Sequence, residues 1–232
     1  MTGIDLLIAH AVKIAVIGAL AGIAVRRRHR LCMAFVGYLL IVLAFNVTFS
    51  FWPDLFNAST WMLAQAVLDC AKVFVALDLA YRAFRAFPGA MATAKVVLLI
   101  VLSLTTLAVA GVMQFATGQE AYKLAVTDWH PRIASGTIWL LAATAVLVVW
   151  YHLPVHPFQR AILLGFVVYL SVFTSVLNLL QRYGWQSLER FNIVDGLAYF
   201  ALTIWWVHAA WRPMERLGID PVVLRRLRFE EA

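Results

Sequence analysis

Long apolar stretches with few charged residues occupy most of this chain. A helix needs about 20 apolar residues to cross a hydrocarbon core of about 30 Å. The sequence contains seven such stretches, at about residues 4–25, 31–52, 60–81, 96–117, 133–152, 161–182 and 192–211. They are longer than membrane β-strands and lack the alternation of polar and apolar residues that such strands show. The pattern predicts an all-α, polytopic membrane protein, a bundle of seven transmembrane helices.

The composition strengthens this prediction. The chain has 63% hydrophobic and 13% charged residues over 232 positions and a mean hydropathy of +0.84. A soluble domain is roughly half apolar and a quarter charged. Since the seven stretches leave no separate soluble domain, we expect one transmembrane domain over residues 1–211 and a short basic cytoplasmic tail over residues 212–232.

Basic residues are distributed unevenly between alternate loops. Cytoplasmic loops carry an excess of Lys and Arg, and here thirteen basic residues fall on one side and four on the other. The larger set is Arg26, Arg27, Arg28, Arg30, Arg82, Arg85, Lys95, Arg160, Arg212, Arg216, Arg225, Arg226 and Arg228; the smaller is Lys123, Arg132, Arg182 and Arg190. The bias predicts an external N-terminus and a cytoplasmic tail, in a multi-pass protein of a cell inner (plasma) membrane.

The net charge of +7 is largely a consequence of this topology. Basic segments beside a membrane attract anionic lipid headgroups, so we expect the inner face to contact such lipids. The inner loops and tail could also bind a protein partner. Nucleic-acid binding is the weaker interpretation of the charge.

Cysteine and histidine give no support for a metal or cofactor. Cys32 and Cys70 fall in different predicted spans and belong to no CxxC motif, which argues against redox and zinc chemistry. His152 and His156 are spaced as H-x-x-x-H, but Pro154 between them argues against the helical geometry that metal sites use. We expect neither a metal site nor a cofactor.

Polar residues inside the predicted spans are the main functional candidates. Ionisable groups at mid-bilayer are costly and usually face the interior of a bundle. In the third span Gln65, Asp69 and Lys72 follow i, i+4, i+7 spacing, which places them on one helix face. Lys13 in the first span lies at a similar depth.

The sixth and seventh spans carry similar stripes. Ser171, Ser175, Asn178 and Arg182 share one face of the sixth span, and Asn192, Asp195, Tyr199 and Thr203 share one face of the seventh. The four helices thus offer polar groups to the outer half of the bundle. The predicted ligand or coupling pocket consists of Lys13, Gln65, Asp69, Lys72, Asn178, Asp195 and Tyr199. A buried network that only fixes helix packing is the alternative, because polar contacts join helices in lipid.

Catalytic signals are weak throughout the sequence. There is no G-x-S-x-G, no H-E-x-x-H and no glycine-rich phosphate loop. An enzyme with scattered intramembrane residues stays open, although a protein without catalytic activity is favoured. Retinal binding of the rhodopsin type is disfavoured because the stretch 192–211 contains no lysine for a Schiff base.

Three local motifs suggest a family resemblance. They are Arg26-Arg27-Arg28 before the second span, His156-Pro157-Phe158-Gln159-Arg160 at the start of the sixth, and Asp195-Gly196-Leu197-Ala198-Tyr199 with Trp205-Trp206 in the seventh. Through them the chain resembles a set of uncharacterised bacterial seven-helix integral membrane proteins. Its layout is similar to that of the seven-helix input modules of bacterial sensor proteins. The resemblance implies a fold and a membrane location, and no activity.

These observations favour a receptor-like or accessory module of the membrane. In this hypothesis an outward-facing polar pocket changes helix packing, and the basic inner face acts on a separate partner. A small transporter or proton-coupled carrier that uses Asp69 and Lys72 is the first alternative. A structural subunit of a larger membrane complex is the second.

Overall fold

The structure of the protein, a computed structural model, describes residues 3–52, 58–84, 130–150, 155–183 and 188–213. Six α-helices and one 3-10 turn form the described part, which contains no strand: α1 Gly3–Val25, the turn Arg28–Leu31, α2 Met33–Phe51, α3 Ala58–Phe84, α4 His130–Trp150, α5 Pro157–Tyr183 and α6 Leu188–Trp211. The predicted all-α class is confirmed for these residues. The predicted span at 96–117 and tail residues 214–232 lie outside them.

Four of these helices are long and apolar enough to cross a membrane. The qualifying segments are Leu6–Val25, Met33–Phe51, Pro157–Leu180 and Phe191–Trp211. Helix α3 has the length but carries Asp69, Lys72, Asp78 and Arg82 along it. The chain is therefore a membrane-embedded protein, and among its described helices α3 carries the most charged residues.

Two helices begin four residues earlier than their apolar stretches predict. Helix α5 begins at Pro157 rather than 161, because proline suits the first turn of a helix and the Nδ1 atom of His156 accepts a hydrogen bond from the backbone N–H of Phe158 at 3.1 Å. Helix α6 begins at Leu188 rather than 192. Asp195 consequently lies about 10 Å along its helix, deeper than the apolar stretch indicates.

The helices pack in a closed circuit. Each of α1 to α5 contacts the next helix in the described order, and α6 contacts both α5 and α1. The end of the bundle at which α1 ends and α2 begins also holds the first turn of α5 and the last turn of α6, and we call it the Arg28 end. The contact between α1 and α6 joins the two extremes of the described chain.

Arg28 fastens this end of the bundle. Arg27 adopts a left-handed conformation with φ of 54°, which ends α1 and turns the chain towards α6. The Arg28 side chain is buried, and its two terminal nitrogens donate to the carbonyl oxygens of Ala209 and Arg212, each at 2.6 Å. The last carbonyls of a helix lack intrahelical donors and carry partial negative charge. The guanidinium therefore supplies both the missing hydrogen bonds and a positive charge at the end of α6.

Further polar contacts tie the neighbouring segments to the same end. The Gln159 amide donates to the carbonyl oxygen of Leu31 at 2.7 Å, which connects α5 to the turn before α2. The Arg28 guanidinium also lies over the ring of Phe158, 5.3 Å from its centroid. Loops and helices are thus joined at the Arg28 end by charge-assisted and amide hydrogen bonds.

An aromatic cluster fills the core above Arg28. The Trp206 ring of α6 lies 4.9 Å from that of Phe35 on α2 and 4.8 Å from that of Phe166 on α5, measured between centroids. Tyr38 packs edge-on against Phe166 at 5.3 Å. Edge-to-face aromatic pairs of this kind add about 0.5–1.5 kcal/mol beyond buried area, so the cluster holds α2, α5 and α6 together.

A glycine permits the close approach of α5 and α6. A Cβ atom added at Gly165 would lie 2.8 Å from Leu202 Cδ1 and 3.0 Å from the indole nitrogen of Trp206. Leucine can rotate away, but Trp206 is fully buried and has little freedom to move. Small residues at such contacts let membrane helices pack tightly.

We therefore expect Gly165→Ala to destabilise the protein by about 1–3 kcal/mol, the usual effect of overpacking. Gly37→Ala is the matched control, because a Cβ at Gly37 meets nothing within 4 Å. Thermal unfolding in detergent, followed by tryptophan fluorescence, measures both variants. Equal stability of the two would show that the α5–α6 contact does not need the glycine.

Candidate functional site: a buried polar network

An ion pair lies within helix α3 in the core of the protein. The ammonium of Lys72 lies 2.9 Å from a carboxylate oxygen of Asp69, and both side chains are almost fully buried. The amide of Gln65 donates to the same carboxylate oxygen at a longer 3.4 Å. The three residues that share a face in the sequence therefore also contact one another, as their helical spacing requires.

Lys72 reaches from α3 towards α5. Its ammonium lies 5.7 Å from the centroid of the Phe173 ring. A cation over an aromatic face is attracted by the ring electrons, by about 2 kcal/mol or more when water is excluded. The ion pair on α3 is thus anchored to a second helix.

Three tyrosines extend the polar network to α2 and α6. The hydroxyl groups of Tyr38 and Tyr199 lie 3.0 Å apart, within hydrogen-bond distance. The ring of Tyr169, on α5, packs 5.2 Å from that of Tyr199, and its hydroxyl is hydrogen-bonded to Asp195. Tyr169 also interacts electrostatically with Asp69. We call these five residues, together with Lys72 and Gln65, the polar network.

The structure separates two predicted site residues from this network. Lys13 donates a hydrogen bond to the Ser50 hydroxyl near the end of α2, and its side chain is half-buried. Asn178 is exposed on α5, as are Ser171 and Ser175 of the same stripe. Of the predicted pocket residues, Gln65, Asp69 and Lys72 form one contacting group. Asp195 and Tyr199 lie beside Tyr169, which interacts electrostatically with Asp69.

Two residues of the network, Tyr38 and Tyr169, are absent from the sequence-based site. The sequence does contain an indication of these two residues. Tyrosine in membrane proteins usually lies at the two interfaces, and a buried tyrosine hydroxyl usually needs a hydrogen-bond partner. Tyr169 also shares a helical face with Phe166 and Phe173 at i, i+3 and i+7 spacing. A tyrosine inside an apolar stretch is therefore itself an indication of a polar partner on another helix.

The network can distribute a change of charge over four helices. Adding or removing a proton at Asp69 alters its attraction to Lys72 on α3 and its interaction with Tyr38 on α2 and Tyr169 on α5. A change at Asp195 acts on Tyr169 from α6. Hydrogen-bonded hydroxyls and carboxylates can also pass protons. Over the described ranges, no group of three or more His, Cys, Asp or Glu side chains is placed to hold a metal ion.

Comparisons of the chain with protein-family models, curated proteins and solved structures found no match.

Removing one member of the buried pair should destabilise the protein strongly. We expect Asp69→Asn to lower the free energy of unfolding by about 3–5 kcal/mol, because it leaves a buried ammonium without its counter-charge. Asp78→Asn is the control: its pair with Arg82 on the same helix is partly exposed, and such pairs contribute about 0–1 kcal/mol. Thermal unfolding in detergent measures the difference.

The double variant Asp69→Asn/Lys72→Met tests the cause. It removes both charges, and we expect it to recover most of the stability lost in Asp69→Asn, since a buried pair can often be replaced by uncharged groups without loss. Equal destabilisation by Asp69→Asn and Asp78→Asn would show that the buried Lys72 ammonium does not need Asp69 as its counter-charge.

Proposed function

We propose that this protein is a seven-helix receptor-like or accessory module of a bacterial inner (plasma) membrane, with its N-terminus outside. In this proposal the polar network receives an external signal, and the Arg28 end faces the cytoplasm and acts on a separate partner. The observation that carries it is the polar network itself, which joins side chains from α2, α3, α5 and α6 in the core.

The direction of the described helices supports a seventh span. Arg82, in the last turn of α3, donates to the carbonyl oxygen of Arg30 at 3.5 Å, so α3 ends at the Arg28 end. The link from Trp150 to Pro157 reaches roughly 24 Å at most, less than the length of about 31 Å of α4, so α4 ends nearer that same end. Helix α3 therefore ends, and α4 begins, at opposite ends of the bundle, which favours the span predicted at 96–117.

Reporter fusions test the topology. We expect green fluorescent protein fused after Ala232 to fluoresce in bacterial cells and alkaline phosphatase at the same position to be inactive, because the fluorescent protein folds in the cytoplasm and the phosphatase matures outside it. A fusion truncated after Phe51, at the outer end of α2, should give the reverse pattern. An active phosphatase after Ala232 would invert the proposed orientation.

The polar network and the Arg28 end share two helices, which provide a route for signal transmission. Helix α6 carries Asp195 and Tyr199 in the network, and the carbonyl oxygen of Ala209 in its last turn accepts a hydrogen bond from Arg28. Helix α2 carries Tyr38 and begins one residue after Cys32, which is fully buried at the Arg28 end. The aromatic cluster lies between the two levels. A change in the Tyr38–Tyr199 contact therefore bears on the packing around Cys32.

Cys32 supplies a direct measurement of this coupling. Burial raises the pKa of its thiol to about 12, so it reacts slowly with maleimides, because the thiolate is the form that attacks them. In a Cys70→Ser background we expect Tyr199→Phe to raise the rate of Cys32 modification about three- to tenfold, the equivalent of one lost hydrogen bond. Asn178→Ala, on the exposed stripe of α5, should leave the rate unchanged. Equal rates in all three proteins would refute the coupling.

A proton-coupled carrier is the second candidate function. The buried Asp69–Lys72 pair favours it, because paired ionisable groups inside a membrane often mark proton or ion pathways. Reconstituted vesicles with a pH gradient separate the two candidates. Proton flux that the double variant Asp69→Asn/Lys72→Met abolishes, together with a Cys32 rate that Tyr199→Phe does not change, would assign the carrier.

A structural subunit of a larger complex is a third candidate. The exposed polar stripe of Ser171, Ser175 and Asn178 on α5 favours it, since polar side chains in lipid can join helices of different subunits. Dependence of the protein's stability in the membrane on a co-purifying subunit, lost when the stripe is replaced by alanines, would support this function.

A further inference from the structure

A second polar region lies at the Arg28 end, separate from the polar network. A cavity of about 310 Å³ is bordered there by the turn before α2, the start of α5 and the end of α6. Its polar lining consists of Arg28, His156, His208 and Arg212, and Phe158 and Trp205 contribute apolar walls. The volume is at the lower end of the range of about 300–1,000 Å³ typical of small-molecule sites.

The described lining of the cavity has positive charge and contains no carboxylate as a counter-charge. Within the described ranges the two ion pairs between side chains are Asp69–Lys72 and Asp78–Arg82. Neither includes Arg28 or Arg212, and among the residues that the structure describes no carboxylate lines the cavity. Arg28 is only 2% exposed. The α6 carbonyls that Arg28 binds carry only partial negative charge, so the buried guanidinium keeps positive charge that suits an anion.

Hydrogen-bond donors are available in the same place. The Nε atom of Arg28 is buried and has no hydrogen-bond partner in the described part of the chain, although its other nitrogens bind carbonyls of α6. His156 accepts a bond at Nδ1, and burial and the nearby Arg28 lower its pKa. It is therefore neutral at pH 7, with its proton on Nε2. His208 accepts a bond at Nε2 from Arg212 Nε, at 3.0 Å.

The three motifs that suggested the family resemblance contribute to this cavity. Arg28 comes from the triple-arginine segment, His156 to Phe158 from the start of α5, and Trp205 from the Trp-Trp pair of α6. Trp205 is 46% exposed, and its indole donates to the carbonyl oxygen of Ala161 at 2.9 Å. Tryptophan has a polar N–H and an apolar ring, and it is typical of the membrane interface. Trp205 therefore indicates that the cavity lies at the level of the lipid headgroups.

We infer that this cavity binds a phosphate group, with Arg28, Arg212 and the two histidines as its donors. Guanidinium groups match phosphate oxygens in geometry and charge, and basic sites between transmembrane helices on the cytoplasmic side hold phospholipid headgroups. The phosphate belongs either to an anionic phospholipid or to a free phosphate ion. The inference does not depend on the receptor function.

Thermal stability of the full-length protein in detergent, at constant ionic strength, tests the inference. The probes are dioctanoyl phosphatidylglycerol, inorganic phosphate and, as a control without phosphate, dioctanoylglycerol. We expect a saturable rise in unfolding temperature with at least one of the first two, because a ligand that binds only the folded state stabilises it. Saturation with the phospholipid alone identifies a headgroup, and saturation with inorganic phosphate identifies a site for the free ion.

Arg212→Gln tests whether the cavity binds the phosphate, and Arg160→Gln is its matched control. Both residues are exposed basic positions near the same end, but only Arg212 lines the cavity. We expect Arg212→Gln to weaken the apparent affinity by at least about tenfold, the loss of a charge-assisted hydrogen bond. Arg160→Gln should keep the wild-type affinity. The inference is overturned by equal weakening in both variants, by an equal effect of dioctanoylglycerol, or by no saturable effect of either phosphate probe.

Discussion

The bonds from Arg28 to the end of α6 are the constraint on which the rest of the described structure depends. They join residues that are 181 and 184 positions apart in sequence, and so they close the circuit of helices between α6 and the segment that follows α1. The cation satisfies carbonyls that a helix end leaves without donors. An apolar side chain at position 28 would remove the donors that these carbonyls have next to the aromatic core.

Above this contact, the bundle changes from a charged layer to an aromatic layer and then to the polar network. The indole of Trp206 packs between Phe35 and Phe166, and Tyr38 belongs to both the aromatic cluster and the network. Because rings pack tightly and move little, a displacement of Tyr38 has to be accommodated by its neighbours on α5 and α6. This continuity gives the proposed receptor a physical route between the two levels.

The polar network and the phosphate cavity differ in how their charge is balanced. In the network the ammonium of Lys72 has a carboxylate beside it, so the group is stable without a ligand and can respond to a proton or a polar molecule. At the cavity the described part of the lining has two guanidinium groups and no carboxylate. The first arrangement suits a switch, and the second suits a permanently bound or readily exchanged anion.

Part of the candidate site was predictable because it depends on spacing within one helix. Gln65, Asp69 and Lys72 contact one another since positions three and four apart meet on a helix surface. Contacts between helices were not accessible in the same way. Asn178 has a suitable spacing with Ser171 and Ser175, yet this face of α5 is exposed, because Phe166, Tyr169 and Phe173 provide the face that packs inward. Periodicity identifies a face without showing which neighbour it meets.

The sequence by itself determined the helical class, the positions of the described helices to within a few residues, and the membrane as solvent, because apolar length and helix period are local properties. Only the tertiary structure decided that Tyr38 bonds to Tyr199, that Lys13 bonds to Ser50 outside the network, and that Arg28 is buried against α6. When only the sequence is considered, Arg28 is one of several basic residues in a loop. Its partners are backbone carbonyls of a helix far along the chain, and backbone groups are the same at every position, so no residue pattern identifies them.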